Sequence, residues 1–208
     1  MRINWWYSLT VNRRTGIGGI MKGPDPRQPV IRPASLSDLE VLVQFSAAMA
    51  IETEGRRLDL VRLRRGTLAV LESTRHGFYV VAEQAISGAR EVVGQLLITY
   101  EWSDWRNADF WWIQSVYVHP DHRRQGVYKR MHRYIVEMAR GRNDVCGVRL
   151  YVERDNRVAH TVYARVRLSR SKYDVFEEDF VLPTTGHRAS SQGGGTTCDA
   201  PSMKGDGE

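Results

Sequence analysis

One stretch constrains this chain more than any other: Phe110-Trp-Trp-Ile-Gln-Ser-Val-Tyr-Val118, then His119-Pro-Asp-His-Arg-Arg-Gln-Gly126, then a helix-patterned run to about Arg140. Aromatic and β-branched residues packed so densely make a strand with at least one covered face. Pro120 ends it, and Gly126 opens the helix. A strand that feeds a helix N-terminus through a short polar loop turns several unpaired backbone N–H groups in one direction, and the helix dipole adds positive potential. That combination suits a pyrophosphate. Gly126 admits close approach because it has no Cβ, while Arg123, Arg124 and Lys129 add charge around it.

The flanking sequence supplies the rest of a layered domain. Val30-Ile-Arg32 reads as a short strand ended by Pro33, and Ser35 with Asp38 as a capping-box start. Leu39, Leu42, Val43, Ser46 and Met49 then keep helical spacing, and a second helix spans Asp59–Ser73. Phe78–Glu83 and Glu91–Tyr100 form a hairpin around Ile86-Ser-Gly-Ala-Arg90. Gly147–Val152 is a strand, Asn156–Val166 a helix and Tyr173–Phe180 a last strand. The order β-α-α-β-β-β-α-β-α-β predicts an α/β (α+β) fold with a mixed sheet flanked by helices.

At 208 residues the chain has room for one such domain, expected over residues 29–182. The glycines at Gly16–Gly19 and Gly23-Pro-Asp-Pro26 mark residues 1–28 as an extension, within which Met21 is an alternative start. The apolar-poor run from Thr185 marks residues 183–208 as a disordered tail. No apolar run approaches the roughly 18–20 residues of a membrane span, and the N-terminus lacks a secretory apolar core. Cys146 and Cys198 make no disulfide framework and sit in no metal-ligand spacing, so a reduced, cytoplasmic setting without a metal is expected. A net charge of +6 fits a nucleic-acid partner or an anionic cofactor equally. The arginines are spread and follow no recognition motif, which makes nucleic acid the weaker reading.

A second constellation is Leu150-Tyr-Val-Glu-Arg-Asp-Asn-Arg-Val-Ala-His-Thr-Val-Tyr163. Asn156 is an apt N-cap, Ala159 is small, and Tyr163 reads by itself as a half-buried aromatic packing its helix on the sheet. Together the two segments resemble the GNAT acyltransferases. Arg123-Arg-Gln-Gly126-Val-Tyr128 is similar to that family's [Arg/Gln]-x-x-Gly-x-[Gly/Ala] signature, and Asn156 to Tyr163 to its Asn-x-x-Ala-x-x-x-Tyr. The resemblance spans roughly Val30 to Phe180 and includes Ile51-Glu-Thr-Glu-Gly55 and Glu101-Trp-Ser-Asp-Trp-Arg106, as in a bacterial subgroup of unnamed acceptor.

The resemblance implies a mainly antiparallel sheet and acetyl-CoA as co-substrate. Its pyrophosphate would lie on Arg123, Arg124, Gln125, Gly126, Val127, Tyr128 and Lys129, and its pantetheine along Val116, Tyr117 and Val118, beside Asn156 and Ala159. A backbone N–H of Val116 or Val118 would then polarise the thioester carbonyl, and Tyr163 would protonate the departing thiolate. Tyr128 departs from the family's Gly or Ala, Arg167 from a usual glycine, and Trp112 from a glutamate base. Glu54, acting through water, is therefore the first choice as base, with Glu52, Glu101 and Asp104 behind it. Glu52, Trp102, Asp104 and Gln114 are assigned to the acceptor. Trp102 and Trp105 read equally as core or homodimer contacts. The implied activity is N-acetyl transfer to a primary amine, small molecule or peptide, by direct attack in a ternary complex. The alternative is a non-catalytic acyl-CoA-binding module.

Overall fold

The structure, a computed structural model, describes residues 28–152, 155–166, 168–175 and 178–181. The N-terminal extension with Met21, Arg167, and the C-terminal tail with Cys198 lie outside the described residues. The chain divides into units between Leu168 and Ser169, and the first carries every described helix and strand.

Local chemistry starts the first two helices where they stand. The backbone N–H of Ser35 donates to Asp38 Oδ2 at 2.7 Å, and its hydroxyl donates to the same oxygen at 3.0 Å, closing a capping box. A 3-10 turn, Leu36–Asp38, leads into α1, Leu39–Glu54. Arg32, on β1 (Val30–Pro33), forks the two Asp38 oxygens at 2.8 and 2.9 Å and reaches Glu83 of β2 (Phe78–Ile86) at 2.9 Å. Burial alone would raise the Asp38 carboxyl, but Arg32 and Ser35 overcome it and hold the group below the usual carboxylate range. Asp59 starts α2, Leu60–Glu72, by accepting from the N–H groups of Val61 and Arg62.

β2 turns into β3, Ala89–Ser103, through Ser87 and Gly88, with φ of 49° and 89°. That two-residue turn matches the twist of a hairpin. The connection is tighter than the expected Ile86–Arg90 loop because Ile86 already pairs with Ala89. β4 is Ala108–Val118 and β5 is Val145–Leu150. The sheet runs β1-β2-β3-β4-β5, antiparallel throughout except for the parallel β4–β5 pair. The mixed, mainly antiparallel sheet is thus as expected. α3, Val127–Arg140, and α4, Arg157–Arg165, complete the unit.

Strand alternation sends opposite sets of side chains to the two faces. Val80, Leu96, Ile98, Trp111 and Ile113 pack with Met131 and Ile135 of α3. Tyr79 and Val81 pack with Leu42 of α1, joined by Val70 and Leu71 of α2. Met131 and Ile135 are wholly buried, so truncating either to alanine costs about 2–5 kcal/mol. Ser46 stands in the apolar stripe of α1 because its hydroxyl accepts from the fully buried Gln95 amide at 2.9 Å.

The strand expected at Tyr173–Phe180 does not form among the described residues there: 173–175 and 178–180 join no ladder. Tyr173, Val175 and Phe180 stand exposed. β-forming side chains make a strand only where an edge takes their hydrogen bonds and a face covers them. Among the described residues no helix is long and apolar enough to cross a membrane.

Candidate functional site

The site begins where the sheet comes apart. β4 and β5 pair from Asp109 with Val145 to Ile113 with Leu150 and no further, although β4 continues to Val118. On the other side of β4, Ile113 opposes Ile98 while Val116 opposes Leu96, so Gln114 and Ser115 form a bulge. A bulge bends its strand and raises the local twist, which turns β4 away from β5. Beyond it, the His119 N–H donates to Val93 O at 2.9 Å. Backbone groups alternate sides along a strand, so those of Tyr117 face β3 and those of Val116 and Val118 face the open edge.

A strut holds the loop below that edge. Arg123 Nε donates to Val118 O at 2.8 Å, and Arg123 Nη2 donates to Glu52 Oε2, near the C-terminal end of α1, at 2.7 Å. The Tyr117 hydroxyl donates to Glu52 Oε1 at 3.0 Å. The Arg123 guanidinium holds the Glu52 carboxyl below its ordinary range, and the Tyr117 hydroxyl adds to the effect. Arg124 and Gly126 then adopt left-handed φ values of 63° and 79°. Such turns aim successive N–H groups into one concavity. Gly126 is the N-cap of α3 and no side chain caps it, while open space lies where a Cβ would stand.

A cleft of about 330 Å³ lies at this turn. Arg123, Arg124, Gly126, Val127, Tyr128 and Lys129 line it from the loop and α3, as Val118 does from β4. Val162, Arg165 and Val166 close it from α4. Gly126 and Lys129 also line a smaller cleft of about 190 Å³ with Gln125, Arg130 and Arg133. The chemistry is that of a polyanion site flanked by an apolar wall: free amides, cations and no carboxylate in either lining.

Tyr128 packs against the larger core cluster, and its buried hydroxyl has no hydrogen-bond partner among the described residues. Tyr163 meets it edge-on at 5.8 Å between ring centroids. Burial raises the Tyr163 phenol above its ordinary value, so at neutral pH it keeps its proton. Asn156 Oδ1 accepts from the Ala159 N–H at 2.9 Å, which makes it the cap of α4.

The residues expected at the acceptor mouth do not gather in one place. Gln114 donates to Thr99 at 2.9 Å, on the α1 side of the sheet. Trp102, by alternation from Ile98 and Tyr100, belongs to the α3 side and is 63% exposed. Asp104 accepts from the Trp105 N–H in the β3–β4 turn. Glu54 is exposed with Arg56 Nε at 3.8 Å, and Glu52 is in the strut. Instead, Glu101 joins Trp112: the indole N–H donates to Glu101 Oε2, and Arg149 of β5 donates to Glu101 Oε1 at 2.6 Å. The sequence pattern gives no role to Arg149, Tyr151, Val162 or Arg165. A charge at Arg149 inside a half-buried strand was the available signal, since such charges are seldom buried without a partner.

The Acetyltransferase (GNAT) family model matches residues 46–167. A protein from Clostridium difficile 630, described as a possible acetyltransferase, shares 37% identity. Its structure covers 74% of this chain and 99% of its own, with a TM-score of 0.67. A ribosomal-protein-alanine N-acetyltransferase from Brucella melitensis biovar Abortus 2308 matches at 16% identity and TM-score 0.56, over 73% of this chain and 99% of its own. An aminoglycoside N-acetyltransferase in complex with CoA matches at 12% and 0.59, over 76% and 100%. These last likenesses are of fold. Among curated proteins none matches.

Proposed function

This chain belongs to the GNAT acetyltransferase family, and on that premise we propose that it is an N-acetyltransferase that moves an acetyl group from acetyl-CoA to a primary amine. The observation that carries the reading is the fork: β4 leaves β5 after Ile113, and its open edge runs into an uncapped, left-handed helix start at Gly126. Acyl-CoA supplies a thioester carbonyl open to attack by an amine and a thiolate that departs. The amides of the first turn of α3, with Arg124 and Lys129, hold the pyrophosphate. The N–H groups of Val116 and Val118 lie on the edge along which an extended arm can pair, and one of them polarises the carbonyl oxygen.

In the transfer a C–N bond forms, the C–S bond breaks, the amine gives up a proton, and sulfur receives one. Tyr163, kept protonated by burial and beside the cleft residue Tyr128, is the acid for sulfur. Trp112 occupies the place of a base without being one, and both oxygens of its neighbour Glu101 are engaged. Water relayed from the exposed Glu54 takes the amine proton.

The test is thiol release from acetyl-CoA by the full chain across a panel of primary amines. Amine-dependent release that disappears in Tyr163→Phe supports the reading. Binding of acetyl-CoA with no release for any amine would identify a non-catalytic acyl-CoA-binding module instead.

A further inference from the structure

The group at the top of the fork contains a cation and a carboxylate that are only partly used on each other. Arg149 on β5 and Glu101 on β3 meet across β4. The Arg149 guanidinium lies 3.6 Å from the Phe110 ring centroid and 5.8 Å from that of Trp112. It spends one N–H on Glu101, and its remaining N–H groups have no hydrogen-bond acceptor among the described residues. The two side chains are 33% and 41% exposed, so solutes reach them. Tyr151 stacks on Trp112 at 4.3 Å between centroids, 28° from parallel, and forms a flat wall beside the pair. Arg149 pairs with Trp112 in the last stretch of ladder before the strands separate.

We propose that the acceptor is a zwitterionic amine of amino-acid type, its carboxylate bound by Arg149 and its ammonium by Glu101, with its side chain against the Trp112–Tyr151 stack. The inference rests on the acyl-transfer reading above. A guanidinium over an aromatic ring keeps donors free at its edge, and a carboxylate can take two parallel hydrogen bonds from that edge. Glu101 retains lone pairs, since each carboxylate oxygen can accept more than one donor. The charge balance separates this ligand from a polycation. At this site the carboxylate of Glu101 faces the guanidinium of Arg149, one charge of each sign. A surface of paired opposite charges complements a molecule that carries one of each.

The experiment uses the full chain with acetyl-CoA and measures thiol release with L-phenylalanine and L-methionine, with phenethylamine (which lacks the carboxylate), and with spermidine. The amino acids should be acetylated with a KM roughly 10- to 100-fold below that of phenethylamine. Arg149→Ala should raise the amino-acid KM by that factor, shift the phenethylamine KM far less, and leave the acetyl-CoA-induced rise in unfolding midpoint intact. Arg149→Lys, which keeps the charge but not the fork, should fall between. Preference for phenethylamine or spermidine, or a uniform rise in KM for every amine, overturns the proposal. A missing acetyl-CoA-induced rise in the unmutated chain would sink the acyl-transfer reading itself, a different failure.

Discussion

The β1–β2 side of the sheet and the β4–β5 side are built on opposite rules. Around β1, charges meet their counterparts: Arg32 bridges Asp38 and Glu83, and Asp38 also closes the cap of the first helical turn. Around β4, the ladder stops at Ile113, a helix start has no cap, and the buried Tyr128 hydroxyl and His132 Nε2 have no partner among the described residues. Unmet backbone and side-chain groups are costly in a closed core. The open strand edge, the uncapped helix start and the Tyr128 hydroxyl lie together beside cations, which suits a place where the fold keeps groups for something other than itself. The satisfied side supplies stability, and the unsatisfied side supplies chemistry.

Substitutions on the two sides should therefore fail differently. The largest effect is expected from Tyr163→Phe at the fork, where kcat should fall about a hundredfold or more while the unfolding midpoint stays nearly unchanged. Steady-state rates beside a melting curve check both halves of that statement. On the satisfied side, Asp38→Ala should cost on the order of 2 kcal/mol, because it removes the cap and one of the two carboxylates that Arg32 bridges. Urea titration measures it, and the acetyl-CoA Kd should not move. If the Kd changed as much as the stability, the division between the sides would be false.

Glu52→Gln tests the seam between them. The strut through Arg123 and Tyr117 loosens, and acetyl-CoA affinity should drop by about five- to tenfold, read by calorimetry. The smallest effect is on pH dependence. Asp38 has a folded pKa below its unfolded one, so its stabilising share is present above the ordinary carboxylate range and is lost as pH falls through the folded value. Chemical denaturation from pH 7 downward should show this loss in the unmutated chain and a flatter profile in Asp38→Ala.

The sequence displayed the satisfied side far better than the fork. Ser35, Asp38 and Asp59 act over a few residues, so capping chemistry reveals them directly, and the structure places each where its neighbours require it. The fork depends on register. Nothing in Trp112-Ile-Gln-Ser-Val116 announces that Gln114 and Ser115 bulge. Nor does Val148-Arg-Leu-Tyr-Val152 show that pairing ends at Leu150, since the apolar pattern continues to Val152. Arg149 acquires meaning only beside Glu101, from a distant strand, and Phe110. The Gly126 turn was legible because its residues are contiguous. Glu52 was expected beside the acceptor and instead pairs with Arg123, a contact between α1 and a loop far along the chain.

The central claim is that the fork and its left-handed turn form an acyl-CoA cleft. The most direct test is the unfolding midpoint of the full chain with rising acetyl-CoA, beside Gly126→Asp. That variant forces a side chain into φ of 79° and places negative charge at the open amides. Binding to the native state alone stabilises by about 2.7 kcal/mol at a hundred times Kd. The account predicts a concentration-dependent rise in the unmutated chain and none in Gly126→Asp. No rise at millimolar acetyl-CoA in the unmutated chain, or an equal rise in the variant, would contradict it.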